Sequence, residues 1–331
     1  MKASYVIKRI LLTLFIFFVV VTLCFFIPRI GVDDPAARYY PAQTAGTTDA
    51  EYEYIKEQTR IEYGLNGTTF EQYIRYLGKL FTGDLGKSYT KNEPVIDLIA
   101  ERLPWTLVLS VSNLLISLII GVIIGTMAAW RRGRWQDRAL LNASTFTTAL
   151  PAFFLALILS FLLGFEWEIF PAYTDQNMVA EFAWNWESIS RVAYNAALPI
   201  FAMAIGSIVS YGQATRNSVI AVSEDDFILT AKAKGLSNNK VIYGHTLRNA
   251  LLPIVTQFGM NVSTLIGGAV VIEQIFNWNG MGTLFLTANS NNDYPLMMGI
   301  MIFMSAFALV ANLLTDFVYC LLDPRVTLGG R

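Results

Sequence analysis

Six stretches of the chain are apolar almost without interruption, roughly residues 10–27, 105–130, 140–165, 196–220, 251–276 and 296–322. Each meets or approaches the about 20 residues that an α-helix needs to cross a bilayer. Long buried helices of a soluble protein would show charged faces, and these runs lack them. The pattern predicts six membrane-spanning helices. Between the first and second runs, residues 29–104 are polar and too long for an unstructured loop, so that segment is expected to fold. Aromatic and aliphatic residues recur at helical spacing over 51–63 and 70–81, with Gly64 and Gly67 as punctuation between them. Over 94–103, Val95, Leu98, Ile99 and Leu103 share one helical face. The expectation is a small helical domain beside the membrane.

Composition supports this picture, with 54% hydrophobic and 15% charged residues and the charges gathered into a few segments. Their distribution adds an orientation. Lys2, Lys8 and Arg9 precede the first run; Arg131, Arg132, Arg134 and Arg138 fill the second loop; Lys232, Lys234, Lys240 and Arg248 fill the fourth. Basic loops face the cytoplasm. The third loop holds Arg191 as its single basic residue and the fifth holds none, so these face outward. Both termini are then cytoplasmic, and segment 29–104 lies outside. The first run is longer than a usual signal-peptide core and no small-x-small cleavage site follows it, so it reads as a retained anchor. Cys24 and Cys320 sit in apolar runs and read as small hydrophobes rather than disulfide partners.

One polar stretch interrupts the last apolar runs, SEDDFILTAKAKGLSNNKVIYGHTLRNALLP from Ser223 to Pro253. It is too charged to cross a membrane. Ser223 is expected to cap a helix with Glu224, Asp225 and Asp226 in its first turn and Lys232 and Lys234 in its last, each complementing the helix dipole. Gly235 supplies a left-handed stop, and Ser237 caps a second helix that runs past Lys240, His245 and Arg248.

Other chemistry is sparse. Gly86-Lys87-Ser88 resembles the end of a phosphate-binding loop, but Phe81 stands where that motif needs glycine. His245 has no second His or Cys for a metal site. No nucleophile stands beside a base in a recognisable arrangement, so no catalytic residue, bound cofactor or metal is assigned. Asn113, Ser210, Gln213, Gln257, Asn261 and Asn312 are neutral polar residues inside apolar runs, and either line an aqueous path or tie helices together. Ser207, Ser263 and Thr264 are similar. Arg216, Glu273 and Asp316 lie toward run ends rather than at the midplane, which disfavours a proton- or sodium-coupled carrier. Gly121 with Gly125, and Gly206 with Ser210, have spacings that permit close helix approach. Pro151 and Pro199 are candidate kinks.

The polar stretch also carries a family resemblance. Thr230, Ala231, Ala233, Lys234, Gly235, Leu236 and Ser237, followed by His245, Leu247, Arg248, Asn249, Ala250, Leu251, Leu252 and Pro253, resemble the cytoplasmic loop of permease subunits of binding-protein-dependent ABC importers, in their oligopeptide, dipeptide and nickel branch. Tyr76, Leu77, Gly83, Asp84, Leu85, Gly86, Ser88, Pro94, Val95, Arg102, Leu103, Pro104, Thr106 and Leu107 are similar to that family's outer segment. Glu273, Phe276, Trp278, Gly280, Gly282, Asp293, Tyr294 and Pro295 resemble its last outer loop, and Leu322-Asp323-Pro324-Arg325 its C-terminal ending. Two departures stand out: Leu229-Thr230-Ala231 replaces the wider family's Glu-Ala-Ala, and Asn279 stands where proline is usual.

The resemblance implies an all-α type I importer permease in the bacterial or archaeal cytoplasmic membrane. It divides the chain into a first membrane helix (1–28), an extracytoplasmic helical segment (29–104) and a five-helix core (105–331) that includes a coupling loop at 221–250. The coupling residues it implies are Asp225, Asp226, Phe227, Ile228, Thr230, Ala231, Lys232, Ala233, Lys234, Gly235, Leu236 and Ser237, with Phe227, Ile228 and Ala231 as apolar contacts. The implied partners are a second homologous permease, two cytoplasmic ATPase subunits holding ATP and Mg, an extracytoplasmic binding protein and membrane lipid, with no nucleic acid. Peptide is the expected cargo. Nickel or another small solute is the alternative, and a stand-alone channel or carrier and an intramembrane enzyme are the rival classes.

Overall fold

A computed structural model describes residues 3–30, 36–43, 48–62 and 64–322. Lys2, Tyr63, Asp323, Pro324, Arg325 and the side chain of Cys320 lie outside the described residues. The principal elements are α1 (Ala3–Phe26), α2 (Asp49–Glu62), α3 (Thr69–Phe81), α4 (Val95–Trp130), α5 (Trp135–Ala149), α6 (Ala152–Leu159), α7 (Trp186–Ser223), α8 (Asp226–Ala233), α9 (Leu247–Ala250), α10 (Leu252–Ser263), α11 (Val270–Ile275), α12 (Met281–Ser290) and α13 (Tyr294–Leu322). By length and composition, four described helices are able to cross a membrane: α1, α4, α7 and α13. The pair α5–α6, with the wide π-helical turn Ser160–Glu166 that extends it, makes a fifth if it crosses as one span.

Two of the apolar runs have a different local form from a single straight helix. The third bends by 99° at Leu150–Pro151. Proline cannot donate a backbone hydrogen bond and biases its predecessor out of the helical region, and Leu150 is extended at φ −106°, ψ 127°. Pro199, by contrast, is accommodated within α7. The fifth run divides into α10 and the six-residue α11, joined by turns around Gly267 and Gly268. Two flexible residues in succession weaken a helix that its apolar character alone would continue. In the other direction, α4 continues through Pro104, so the expected face over 94–103 and the second apolar run form one 36-residue helix.

The chain divides into two compact units. The first comprises Met1–Thr13, Arg102–Leu284 and Phe307–Arg331. Within it α4 and α7 approach through glycine: a Cβ at Gly125 would stand 2.3 Å from the Gly212 carbonyl oxygen, and one at Gly121 2.5 Å from the Tyr211 Cβ. Gly206 meets nothing within 4 Å, so the close approach expected there is made by Gly212 instead. Glu273 is buried and accepts from Thr106 Oγ1 (2.6 Å) and from the backbone N–H groups of Gly282 (2.7 Å) and Thr283 (3.2 Å). Trp278, also buried, donates its indole N–H to the Trp105 carbonyl at 3.0 Å. Arg9 of α1 pairs with Asp316 of α13. Between α6 and α7, the Arg191 guanidinium pairs with Asp175 and holds its carboxyl below the usual carboxylate range.

The second unit comprises Leu14–Glu101 and Phe285–Ala306. Helices α2 and α3 lie where the periodicity predicts them. Thr68 and Glu71 form a reciprocal capping box that starts α3, and the backbone N–H of Thr68 keeps the Glu71 carboxyl ionised to lower pH than usual. Gly86-Lys87-Ser88 has a structural use. Gly86 adopts φ +86° and Lys87 bridges Pro94, which turns the following residues around one carboxylate. Asp293, fully buried, accepts from Ser88 Oγ (2.6 Å), Thr90 Oγ1 (2.7 Å) and the backbone N–H groups of Thr90 (3.0 Å) and Tyr89 (3.1 Å). A buried charge needs this many donors to offset its lost hydration.

Candidate functional site

The polar stretch folds as a helical hairpin. Ser223 is not its cap: α7 runs through that residue, and its hydroxyl donates back to the Val219 carbonyl at 2.6 Å. A serine inside a helix satisfies its hydroxyl on the carbonyl four residues back, and so does not act as a cap. Instead, Asp225 stands at the N-cap of α8, with its carbonyl accepting from the Ile228 N–H at 3.0 Å. At eight residues, α8 is about 12 Å long at ~1.5 Å per residue.

The stop at Gly235 is as expected and fully formed. Gly235 has φ +73°; its N–H donates to the Lys232 carbonyl (2.9 Å), and the Leu236 N–H donates to Ala231 (3.4 Å). These are the two bonds of a Schellman motif, and Leu236 makes its accompanying apolar contact with Ala231. Ser237 then accepts at its carbonyl from the Val241 N–H at 3.0 Å and begins the return helix. That helix widens into a π-helical turn over Lys240–Thr246, where Thr246 Oγ1 donates to the Val241 carbonyl at 3.1 Å, and ends in α9.

Packing sorts the expected contact residues into two groups. Ile228 and Ala231 are buried against Val241 and Leu236, so they hold the hairpin closed and offer no outer surface. Phe227 (43% exposed) and Leu229 (56%) of α8 and Tyr243 (64%) of the return helix face outward. Asp225, Asp226, Thr230, Lys232, Ala233, Lys234 and Ser237 are also exposed. Among the described residues, none of Asp225, Asp226, Lys232 and Lys234 forms an ion pair. Leu229 and Tyr243 are the outward residues that the local pattern did not single out. Once Ile228 and Ala231 are seen to face inward, helical register places Leu229 outward.

The hairpin is tied to the membrane helices at its base. Val219, Ala250 and Ala129 form a buried cluster with Ile220, Val222 and Leu247 around it, and Ser218 Oγ donates to the Ala250 carbonyl at 2.8 Å. One turn earlier on α7, Arg216 clasps Asp137 of α5 with Nε–Oδ1 2.5 Å and Nη2–Oδ2 3.1 Å. Asp137 also accepts from the Gly133 N–H at 2.8 Å and is almost wholly buried. Charge-assisted bidentate pairs of this kind fix orientation as well as distance.

A separate cavity of about 230 Å³ lies among α4, α7 and α10. Of the expected pathway residues it brings together Asn113 and Asn261, with Ser207 and Thr264 beside them. Asn261 Nδ2 donates to the Tyr211 hydroxyl at 2.8 Å. Gln213 accepts from Ser144 Oγ (2.5 Å) and Gln257 donates to Ser210 Oγ (3.1 Å), so both serve as ties between helices away from this cavity. Asn312 is exposed on α13. Among the described residues no group of three or more His, Cys, Asp or Glu is placed to hold a metal.

A family model described as "Binding-protein-dependent transport system inner membrane component" matches residues 121–328, and that family's N-terminal component matches residues 2–110. The chain belongs to this family. It is a multi-pass protein of the cytoplasmic membrane. The hairpin lies wholly within residues 121–328, as does most of the cavity lining, while Asn113 and Leu114 fall between the two matched segments. Among similar permeases is the oligopeptide transport system permease protein AppB of Bacillus subtilis, 33% identical over 325 residues covering 98% of this chain and 99% of AppB. The dipeptide transport system permease protein DppB of the same organism is 33% identical over 330 residues, 99% of each chain.

Proposed function

We propose that this permease imports peptides as one half of a translocation pathway, and that the hairpin of α8 and α9 receives work from a cytoplasmic ATPase. Relatives named for oligopeptide and dipeptide transport support peptide over nickel as cargo. A binding protein outside delivers the peptide, a second permease completes the pathway, and two ATPase subunits hold ATP and Mg. Six crossings with both termini inside accord with the basic residues at 131–134 and 232–248.

One observation carries the coupling assignment. The hairpin presents Phe227, Leu229 and Tyr243 outward while its interior is closed by Ile228, Ala231, Leu236 and Val241. A stiff element with an unpartnered apolar tip and flanking charges of both signs is suited to seat in a cleft and move as a body. Its displacement passes through the Val219–Ala250 contact into α7 and through Leu251 into α10, whose Asn261 borders the cavity. Closure of the ATPase pair thereby switches which side the cavity faces.

The test is reconstitution of the whole transporter in vesicles. Phe227→Asp with Leu229→Asp is expected to weaken ATPase docking by about 2 kcal/mol, roughly thirtyfold, as loss of an interface anchor does. Peptide uptake should fall accordingly while the permease still inserts. Wild-type uptake in the double variant would refute the assignment. Uptake by the permease alone on addition of ATP would refute the larger scheme.

A further inference from the structure

Helix α3 has two apolar sectors, and among the described residues only one is covered by protein. Tyr73, Tyr76, Leu77 and Leu80 pack toward α1 and the beginning of α13. Phe70, Ile74 and Phe81 fall within about 40° of one another at ~3.6 residues per turn. They are 67%, 51% and 89% exposed.

The packed sector fixes the depth of the exposed one. Tyr73, early in α3, bonds Thr22 through its hydroxyl at 2.7 Å and stacks near Phe25 and Phe26 at the end of α1. Leu77 and Leu80, later in α3, join the cluster of Val21, Cys24 and Ile302. Helix α3 therefore runs antiparallel to α1 and descends beside it. Val21 lies five residues before Phe26, about 7–8 Å inside the end of the helix. Phe81 follows Leu80 and reaches that level or deeper. Phe18 and Leu23 of α1, at comparable depth on a helix that crosses the membrane, are exposed as well.

The polar flank of α3 points the other way. Arg75 donates to the Asn66 side chain (2.9 Å) and carbonyl (2.7 Å), so its charge is carried back toward the N-terminal end of the helix. Together with Lys79, Arg29 and Lys87 it borders a cavity of about 430 Å³. Among the described residues none of these four cations forms an ion pair. Basic residues on one flank and large apolar residues on the other suit a helix that enters the boundary between headgroups and acyl chains, its long cationic side chains reaching back to the headgroups.

We propose that α3 is an interfacial helix embedded in the leaflet where α1 ends, with Phe70, Ile74 and Phe81 against phospholipid acyl chains. Arg75 sits at headgroup level, and Lys79, deeper on the opposite flank, reaches back toward it along its apolar stem. The occupant is bilayer phospholipid, because the packed sector holds the stripe at the depth of Phe18 and Leu23, which are exposed on a helix that crosses the membrane.

The test uses the complete transporter in phospholipid vesicles, with single-cysteine spin labels at positions 70, 74, 79 and 81 and with Cys24→Ala and Cys320→Ala. The ratio of collision with dissolved oxygen to collision with a water-soluble nickel chelate is expected to be higher at 70, 74 and 81 than at 79, and highest at 81. Water-like accessibility at 81 overturns the proposal, and so does protection of all three stripe positions from both reagents, which would mean a protein covers them. The unmodified chain gives a second readout that needs no substitution. A phospholipid with a photoreactive acyl chain should crosslink within residues 69–81, and absence of crosslinks there overturns the proposal.

Discussion

Gly235 and Glu273 show how single positions govern this molecule. Nothing stands within 4 Å of a Cβ built on Gly235, so the space is open and the constraint is wholly conformational, from φ +73°. Gly235→Val is expected to cost about 1–2 kcal/mol of left-handed strain. It should separate ATP hydrolysis from peptide uptake while leaving membrane insertion intact. Measuring both activities on the same vesicles checks this, and tightly coupled wild-type rates would contradict it. Glu273 illustrates the opposite constraint: a Cβ on Gly280 would lie 2.3 Å from its carboxylate. There glycine is required by proximity, because the carboxylate must reach the backbone N–H groups around it. The sequence marks both glycines equally. Only the left-handed stop was legible, because it follows from the run of helix-forming residues just before it. The carboxylate that crowds Gly280 becomes visible only when the chain has folded back.

At the scale of elements, local periodicity carried far. Helices α2 and α3 and the Gly235 stop between the hairpin arms follow from spacing and residues close in sequence, whereas the start of α8 lies at Asp225 rather than Ser223. Long-range ties did not follow. Arg216 and Asp137 are 79 positions apart, and nothing near either residue names the other. Their pair joins α5 to α7 one turn above the hairpin, and removing one partner strands a nearly buried charge. Asp137→Leu, which leaves Arg216 unpaired, is expected to destabilise the protein by about 3 kcal/mol. The joint replacement of Asp137 by Leu and Arg216 by Met should recover most of that loss. Thermal unfolding of the purified single and double variants distinguishes this from simple loss of packing, which the second substitution would not repair. The inward turn of Ile228 and Ala231 escaped the linear reading for a related reason. Both are apolar residues on a polar segment, and whether such residues serve an internal core or an external partner depends on what folds over them, here Val241 and Leu236.

For the whole molecule, the number of apolar runs overstated the number of simple helices. Hydropathy measures cost in lipid and is blind to backbone direction, so it passed over the break at Leu150–Pro151 and the glycine turns between α10 and α11. The orientation read from basic loops predicts that a cysteine at Asn239, an exposed position of the hairpin, reacts with an impermeant reagent from the cytoplasmic side alone. Labelling of intact cells and inverted vesicles decides this, and modification from outside would reverse the assigned orientation. Helix α3 adds a refinement to that topology: a segment that is polar on average still has a face suited to hydrocarbon.

The buried Asp293 has a consequence for biogenesis. Its donors at Ser88 and Thr90 emerge from the ribosome 205 and 203 residues earlier, an interval of about 10–40 s at ~5–20 residues per second. Throughout that interval the nascent chain holds an unclosed loop, and a product that terminates before position 293 never closes it. The order of synthesis therefore places closure of this carboxylate cage after the first 292 residues have been made.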